Sequence, residues 1–80
     1  MQTVKIGRTY FEISEDEAAW VPDIRMWMVE NRSDYEDRDG LNLTRIAEDC
    51  ANELHHPEWL DDEQHVVWEI AFELSEQAGG

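Results

Sequence analysis

One cysteine, Cys50, and three histidines, His55, His56 and His65, are the residues of this chain best suited to hold zinc or to run nucleophilic chemistry. Their spacing supports neither. Cys50 falls on the apolar side of a helical repeat, His55 and His56 precede Pro57, and His65 stands alone. No ligand pair has a finger-like separation and no His-Glu-x-x-His occurs. Cys50 has no base at a fixed interval, so it reads as a small buried hydrophobe, and a single cysteine cannot staple the fold internally. Asp37, Asp39 and Gly40 match positions 3, 5 and 6 of a calcium loop, but positions 1 and 12 fall on Tyr35 and Ile46. Without those two carboxylates the coordination shell cannot close, and the segment reads as a solvated loop. Asp61 beside Asp62 would need a pocket that separates their pKa values before they did acid–base work, and among so many carboxylates adjacency says nothing. There is no phosphate-cradling glycine loop, serine elbow or nucleotide fingerprint. The reading is a protein that is not an enzyme and carries no metal and no cofactor.

What the chain has in excess is carboxylate. Its 80 residues hold 20 Asp and Glu against 6 Lys and Arg, a net charge of −14 and a pI near 4.2. Direct binding to nucleic acid phosphates is excluded on charge. At 9.4 kDa the expectation is one domain over residues 1–80, too small for separate cofactor and substrate domains. No apolar run approaches the roughly 18 residues of a membrane span, and Met1 to Lys5 lacks a signal peptide's apolar stretch, so a soluble, cytoplasmic protein is expected. Hydrophobic residues make up only 41%, yet four tryptophans argue for a packed core over disorder. A folded chain of this mass exposes about 5,000 Å², about one excess negative charge per 360 Å². That density costs stability through self-repulsion, so either salt screens it or a partner makes use of it.

The elements that must carry these charges can be read from periodicity. Thr3 to Ile13 is rich in β-branched and aromatic residues around Gly7 and reads as a β-hairpin over about 3–13. Two strands alone are marginal in water, so one face must pack on helices. Ser14-Glu15-Asp16-Glu17 has capping-box form with Ile13 as a staple and starts a short helix over about 15–20. Pro22 suits the first turn of a second helix over about 23–33, whose face would hold Trp20, Ile24, Trp27, Met28 and Tyr35. Ile24, Met26 and Met28 also alternate, so a strand competes at 24–29. Ser33 to Gly40 has lost the apolar period and reads as a helix end plus an acidic loop. Leu43, Ile46, Ala47, Cys50, Ala51 and Leu54 form the strongest helical pattern, capped by Asn42, over about 43–55, and Pro57 stops it. Asp61 or Asp62 caps a last helix over about 62–77 with the buried stripe Val66, Val67, Ile70, Ala71 and Leu74, and Gly79-Gly80 ends it. The fold class is α+β, an N-terminal hairpin packed on about three helices.

On that last helix Asp62, Glu69, Glu73 and Glu76 align opposite the apolar stripe as a ridge of carboxylates. Glu48, Asp49 and Glu53 face outward from the preceding helix, and the loop adds Asp34, Glu36, Asp37 and Asp39. Ordinary surfaces mix both signs, whereas residues 62–77 contain no Lys or Arg, and like charges such as Glu69 and Glu73 at i,i+4 cost a few tenths of a kcal/mol. In composition and in these acidic faces the chain resembles the small acidic proteins with which phages and mobile elements block host defence, the anti-CRISPR and anti-restriction DNA mimics. The resemblance implies an inhibitor, acting in the host cytoplasm, whose carboxylates replace phosphates in the basic cleft of a nucleic-acid-binding protein such as a CRISPR effector. Two other readings stand beside it: a salt-adapted acidic adaptor, suited by one lysine among the cations, and an antitoxin-like neutraliser of a basic toxin. Gly79-Gly80 after an N-terminal hairpin also resembles ubiquitin-like modifiers and sulfur carriers, which would imply an activated tail. Clustering of the acids separates mimicry from salt adaptation.

Overall fold

The computed structural model describes residues 1–78; Gly79 and Gly80, and with them the tail reading, lie outside the described residues. Strands β1 (Gln2–Ile6) and β2 (Thr9–Ile13) pair antiparallel with Val4 opposite Phe11 and Ile6 opposite Thr9. The two-residue connection Gly7-Arg8 has φ +64° at Gly7 alone, which suits glycine at the first central position of a type II′ turn. Alternation sends Val4, Ile6, Phe11 and Ile13 to the helical layer and leaves Lys5 and Tyr10 paired on the open face.

Helix α1 runs Glu15–Asn31 without a break, so the two short helices expected at 15–20 and 23–33 are one, and the strand alternative at 24–29 is not adopted. Pro22 removes the hydrogen bond to the carbonyl four residues back, at a cost of about 3 kcal/mol in a helix interior. The continuous apolar line Ala18, Val21, Ile24 and Met28, all buried, outweighs it by packing on the core. Ser14 caps α1, its Oγ accepting from the Glu17 amide at 3.2 Å. The Glu17 carboxylate does not return to the cap; it reaches across to His65.

The segment expected as an acidic loop is ordered into a 3₁₀ turn over Arg32–Tyr35 and a two-residue ladder, β3 (Glu36–Asp37) with β4 (Gly40–Leu41). Helix α2 (Leu43–Glu53) begins at the expected cap, Asn42 Oδ1 accepting from the Arg45 amide. It ends two residues before the expected boundary. There His55 turns left-handed at φ +64°, the His56 amide donates to Ala51 O at 2.8 Å and the His55 amide to Asn52 O at 3.1 Å, a Schellman closure built without glycine. A second 3₁₀ turn, Pro57–Asp61, carries the buried Trp59.

Helix α3 spans Val66–Ala78 and starts four residues later than expected. Asp62 does not cap it: its Oδ1 accepts from the Gln64 amide in a local turn, and His65 Nδ1 accepts from the Val67 amide instead. α3 packs on α1 and α2 through Val66, Val67, Ile70, Ala71 and Leu74, against Ile24, Met28, Ile46, Ala47, Cys50 and Ala51, all buried. The result is one α+β globule with a Cα radius of gyration of 12.0 Å, near the ~11.6 Å expected for this length. No helix among the described residues is long and apolar enough to cross a membrane.

Candidate functional site

All 20 carboxylates keep solvent contact, and the fold sorts all but Glu12, Asp23 and Glu30 into three groups. Sequence reasoning named two and, of the third, only Asp62, which it assigned to the ridge on the last helix. The first surrounds the 3₁₀ turn after α1. Asp34, Glu36, Asp37 and Asp49 line an open concavity of about 400 Å³ with Tyr35, Asn42 and Arg45. Next to it Asp49 and Glu53 line a groove of about 440 Å³ with Trp27, Asn31, Tyr35 and Asn52. Tyr35 donates its hydroxyl proton to Asp49 Oδ2 at 2.6 Å. Burial first, and then that bond and the Asp49 charge, push the phenol up to about 12, so it stays neutral across the physiological range. Cations share this region, since Arg32 pairs with Glu36 and Arg45 stands in the concavity. Asp39 and Glu48 are exposed beside it, and the Asp39 amide donates to Asp37 Oδ1.

The second group is the expected ridge on α3, and its surroundings change its character. Glu69, Glu73 and Glu76 line a notch of about 110 Å³ with Ile6, Gly7, Arg8, Thr9 and Phe72, so the hairpin turn lies against them. A Cβ built on Gly7 would sit 3.9 Å from Glu73 Cβ. Arg25 of α1 crosses to Glu73 at 2.9 Å. Two arginines from elements remote in sequence therefore offset a row that reads as wholly acidic along its own helix. Asp62, the fourth member of that row, lies outside the helix altogether.

The third group lies where the start of α1 meets the loop into α3. Glu15, Asp16 and Glu17 open α1, Glu58 and Asp61 lie in the second 3₁₀ turn, and Asp62 and Glu63 follow it. The two segments are joined by His65, whose Nε2 lies 3.2 Å from Glu17 Oε1, and by a pile of rings. Trp59 stacks on His56 at 4.7 Å on one side and on His65 at 4.8 Å on the other, with Trp20 edge-on to Trp59 at 5.3 Å. Residues 9–24 and 46–78 contain no Lys or Arg, so neither segment brings a permanent cation to this pole. Burial lowers the His65 pKa, against the opposing pull of Glu17, Asp62 and Glu58, and the imidazole is held neutral with its proton on Nε2. The exposed Glu58 carboxylate is held below its ordinary range, chiefly by its hydrogen bond with His56. A sequence signal for this pole existed in the cation-free stretches; what was missing was that the two stretches meet.

Cys50 is fully buried and its thiol is pushed up to about 12 by that burial, far from the range of a working nucleophile. Among the described residues no group of three or more His, Cys, Asp or Glu is arranged to hold a metal ion. Comparison with family models, with curated proteins and with solved structures finds no match to this chain.

Proposed function

We propose that this protein is a non-enzymatic inhibitor that presents a nucleic-acid-like acidic surface to a basic, nucleic-acid-binding protein of host defence. The observation that carries the reading is the pole of Glu15, Asp16, Glu17, Glu58, Asp61, Asp62 and Glu63, seven carboxylates on two joined segments without a Lys or Arg. Spread evenly over the 5457 Å² surface, the net charge would put only about two negatives in a patch of ~800 Å², the half-interface of a standard complex. Within the pole Glu17 lies against His65 and Glu58 is hydrogen-bonded to His56, both members of the ring pile with Trp20 and Trp59, so these two charges lose little ordering entropy on docking. The Asp34 to Glu53 region is a second acidic surface of the same kind, softened by its arginines.

A specific observation also favours salt adaptation: exposed acids occur away from both surfaces, at Glu12 on β2 and at Asp23 and Glu30 on α1. One experiment separates the readings. The chain and a variant carrying Glu58→Gln, Asp61→Asn, Asp62→Asn and Glu63→Gln are used to capture proteins from bacterial lysate at ~50 mM and ~1 M salt, and captured proteins are tested for DNA or RNA binding. Mimicry requires a basic protein that salt releases, whose nucleic acid binding the wild-type chain blocks at stoichiometric concentration, and whose association the variant slows by at least about tenfold. Salt adaptation requires no such partner, and a melting temperature that rises steeply up to molar salt, where charges interact only within ~3 Å.

A further inference from the structure

The groove between the C-terminal half of α1 and α2 differs from the acidic surfaces in having aromatic walls. Trp27 and Tyr35 stand with ring centroids 6.1 Å apart at 46°, and the polar lining is Asn31, Asp49, Asn52 and Glu53. Each asparagine donates Nδ2 to a backbone carbonyl four residues back, Asn31 to Trp27 O at 2.8 Å and Asn52 to Glu48 O at 3.0 Å. A carbonyl can only accept, so these bonds fix the amide orientation and leave both Oδ1 atoms as acceptors without a partner among the described residues. The Tyr35 proton is committed to Asp49 Oδ2, which leaves Asp49 Oδ1 and both Glu53 oxygens. The residues that carry these five acceptors line, with the two aromatic side chains, a space of about 440 Å³ that no Lys or Arg of the chain lines.

We propose that this groove is a guanidinium site that takes an arginine side chain of a protein partner, stacked on Trp27 with its N–H groups on Asp49, Glu53 and the two asparagine carbonyls. A guanidinium is planar, always charged and presents five donors in a fixed fork, so it meets dispersed acceptors and a ring face together. A lysine ammonium is a compact point charge that cannot reach both walls. The free amino acid brings an α-carboxylate into a groove that already holds two, in a chain of net charge −14, and is disfavoured. The site rests on the preceding reading only for the source of the arginine, a basic protein; the groove chemistry is independent of it.

The test is an NMR titration of the isotope-labelled chain at about 150 mM salt with four probes: N-acetyl-arginine N-methylamide, its lysine and citrulline counterparts, and free arginine. Expected are saturable shifts at the Trp27 indole and at the Asn31 and Asn52 side-chain amides. The arginine amide binds at least about fivefold more tightly than the lysine amide, and citrulline and free arginine more weakly still. Glu53→Gln, on an exposed side chain that the fold does not need, weakens arginine amide binding about tenfold, while Trp27→Leu removes the preference over lysine. Equal, diffuse shifts from arginine and lysine amides over all acidic segments, or shifts indifferent to Glu53→Gln, overturn the proposal. Arginine binding here with no blocked nucleic-acid-binding partner sinks the inhibitor reading and leaves the groove standing; a blocked partner with no arginine binding here does the reverse.

Discussion

Replacing His65 tests how the acidic pole is held together. The ring does three things at once: Nδ1 accepts from the Val67 amide at 3.0 Å, Nε2 lies 3.2 Å from Glu17 Oε1, and the face stacks on Trp59 at 4.8 Å. Losing a helix cap costs about 1 kcal/mol, and losing an aromatic pair costs about 0.5–1.5 kcal/mol beyond its buried area. With the cavity left at a site only 6% exposed, His65→Ala is expected to lose about 2–4 kcal/mol. In a domain of this size that is a fall in Tm of roughly 10–25 °C. His65→Asn puts an amide oxygen where Nδ1 stood, keeps the cap, gives up the stack, and is expected to lose about half as much.

The two variants also separate packing from protonation. The folded-state pKa of His65 is held below its ordinary value by burial, so on acidification the unfolded chain takes up the proton first. The contribution of His65 is therefore complete above about pH 6.5 and is lost as pH falls from there through the folded value. The geometry acts in the same direction as burial, because a proton on Nδ1 would set a donor against the Val67 N–H. Acidification also relieves the self-repulsion of a chain at −14, which stabilises it, so the quantity to measure is the difference between wild type and His65→Asn. That difference, from urea unfolding followed by tryptophan fluorescence, is expected to hold nearly constant above about pH 6.5 and to shrink as pH falls below it. A difference that stays constant below that pH, or grows on acidification, would refute the reasoning.

Two further outcomes follow from the helix ends and the core. His55 is exposed and left-handed at φ +64°, where glycine avoids the steric penalty, so His55→Gly is expected to raise stability by about 0.5–1 kcal/mol in thermal melts; a loss would mean that the side chain makes a contact worth more than the strain. Cys50 is fully buried with its thiol pushed up to about 12, so a thiol reagent at pH 8 should react at the rate of global opening and quickly only in denaturant. Rapid reaction of the native protein would show that α2 opens locally.

The fold was legible wherever a local rule had no competitor. Gly7 between β-branched runs, Ser14 before Glu17 and Asn42 before Leu43 each named a turn or cap that the structure uses. Reading broke down where tertiary contacts overrode the local rule. Pro22 marks a helix start in isolation, but the buried line from Ala18 to Met28 carries α1 straight through it. Asp61 and Asp62 are better caps by propensity than His65, yet only the imidazole can stack on Trp59 while its nitrogens meet both Val67 and Glu17.

The same difference governs which acidic surface the molecule presents. A helical wheel places carboxylates on a face but is blind to what other elements lay across that face. Glu69, Glu73 and Glu76 look unopposed along α3 because the arginines that answer them, Arg8 and Arg25, come from the hairpin turn and from α1. Glu15 to Glu17 look like an ordinary acidic first turn, favoured by the helix dipole and needing no function. They become part of a pole because Trp20 of α1 packs on His56 and Trp59 of the loop and His65 lies against Glu17, beside the segment that carries Glu58 to Glu63. Breaking that tether with His65→Ala should then separate the two acidic segments and slow association with a basic partner more than removing one charge, as in Glu63→Gln, even under conditions where both variants remain folded. An equal effect of the two substitutions would mean that the charges act individually, and that their arrangement on the fold is not what the partner reads.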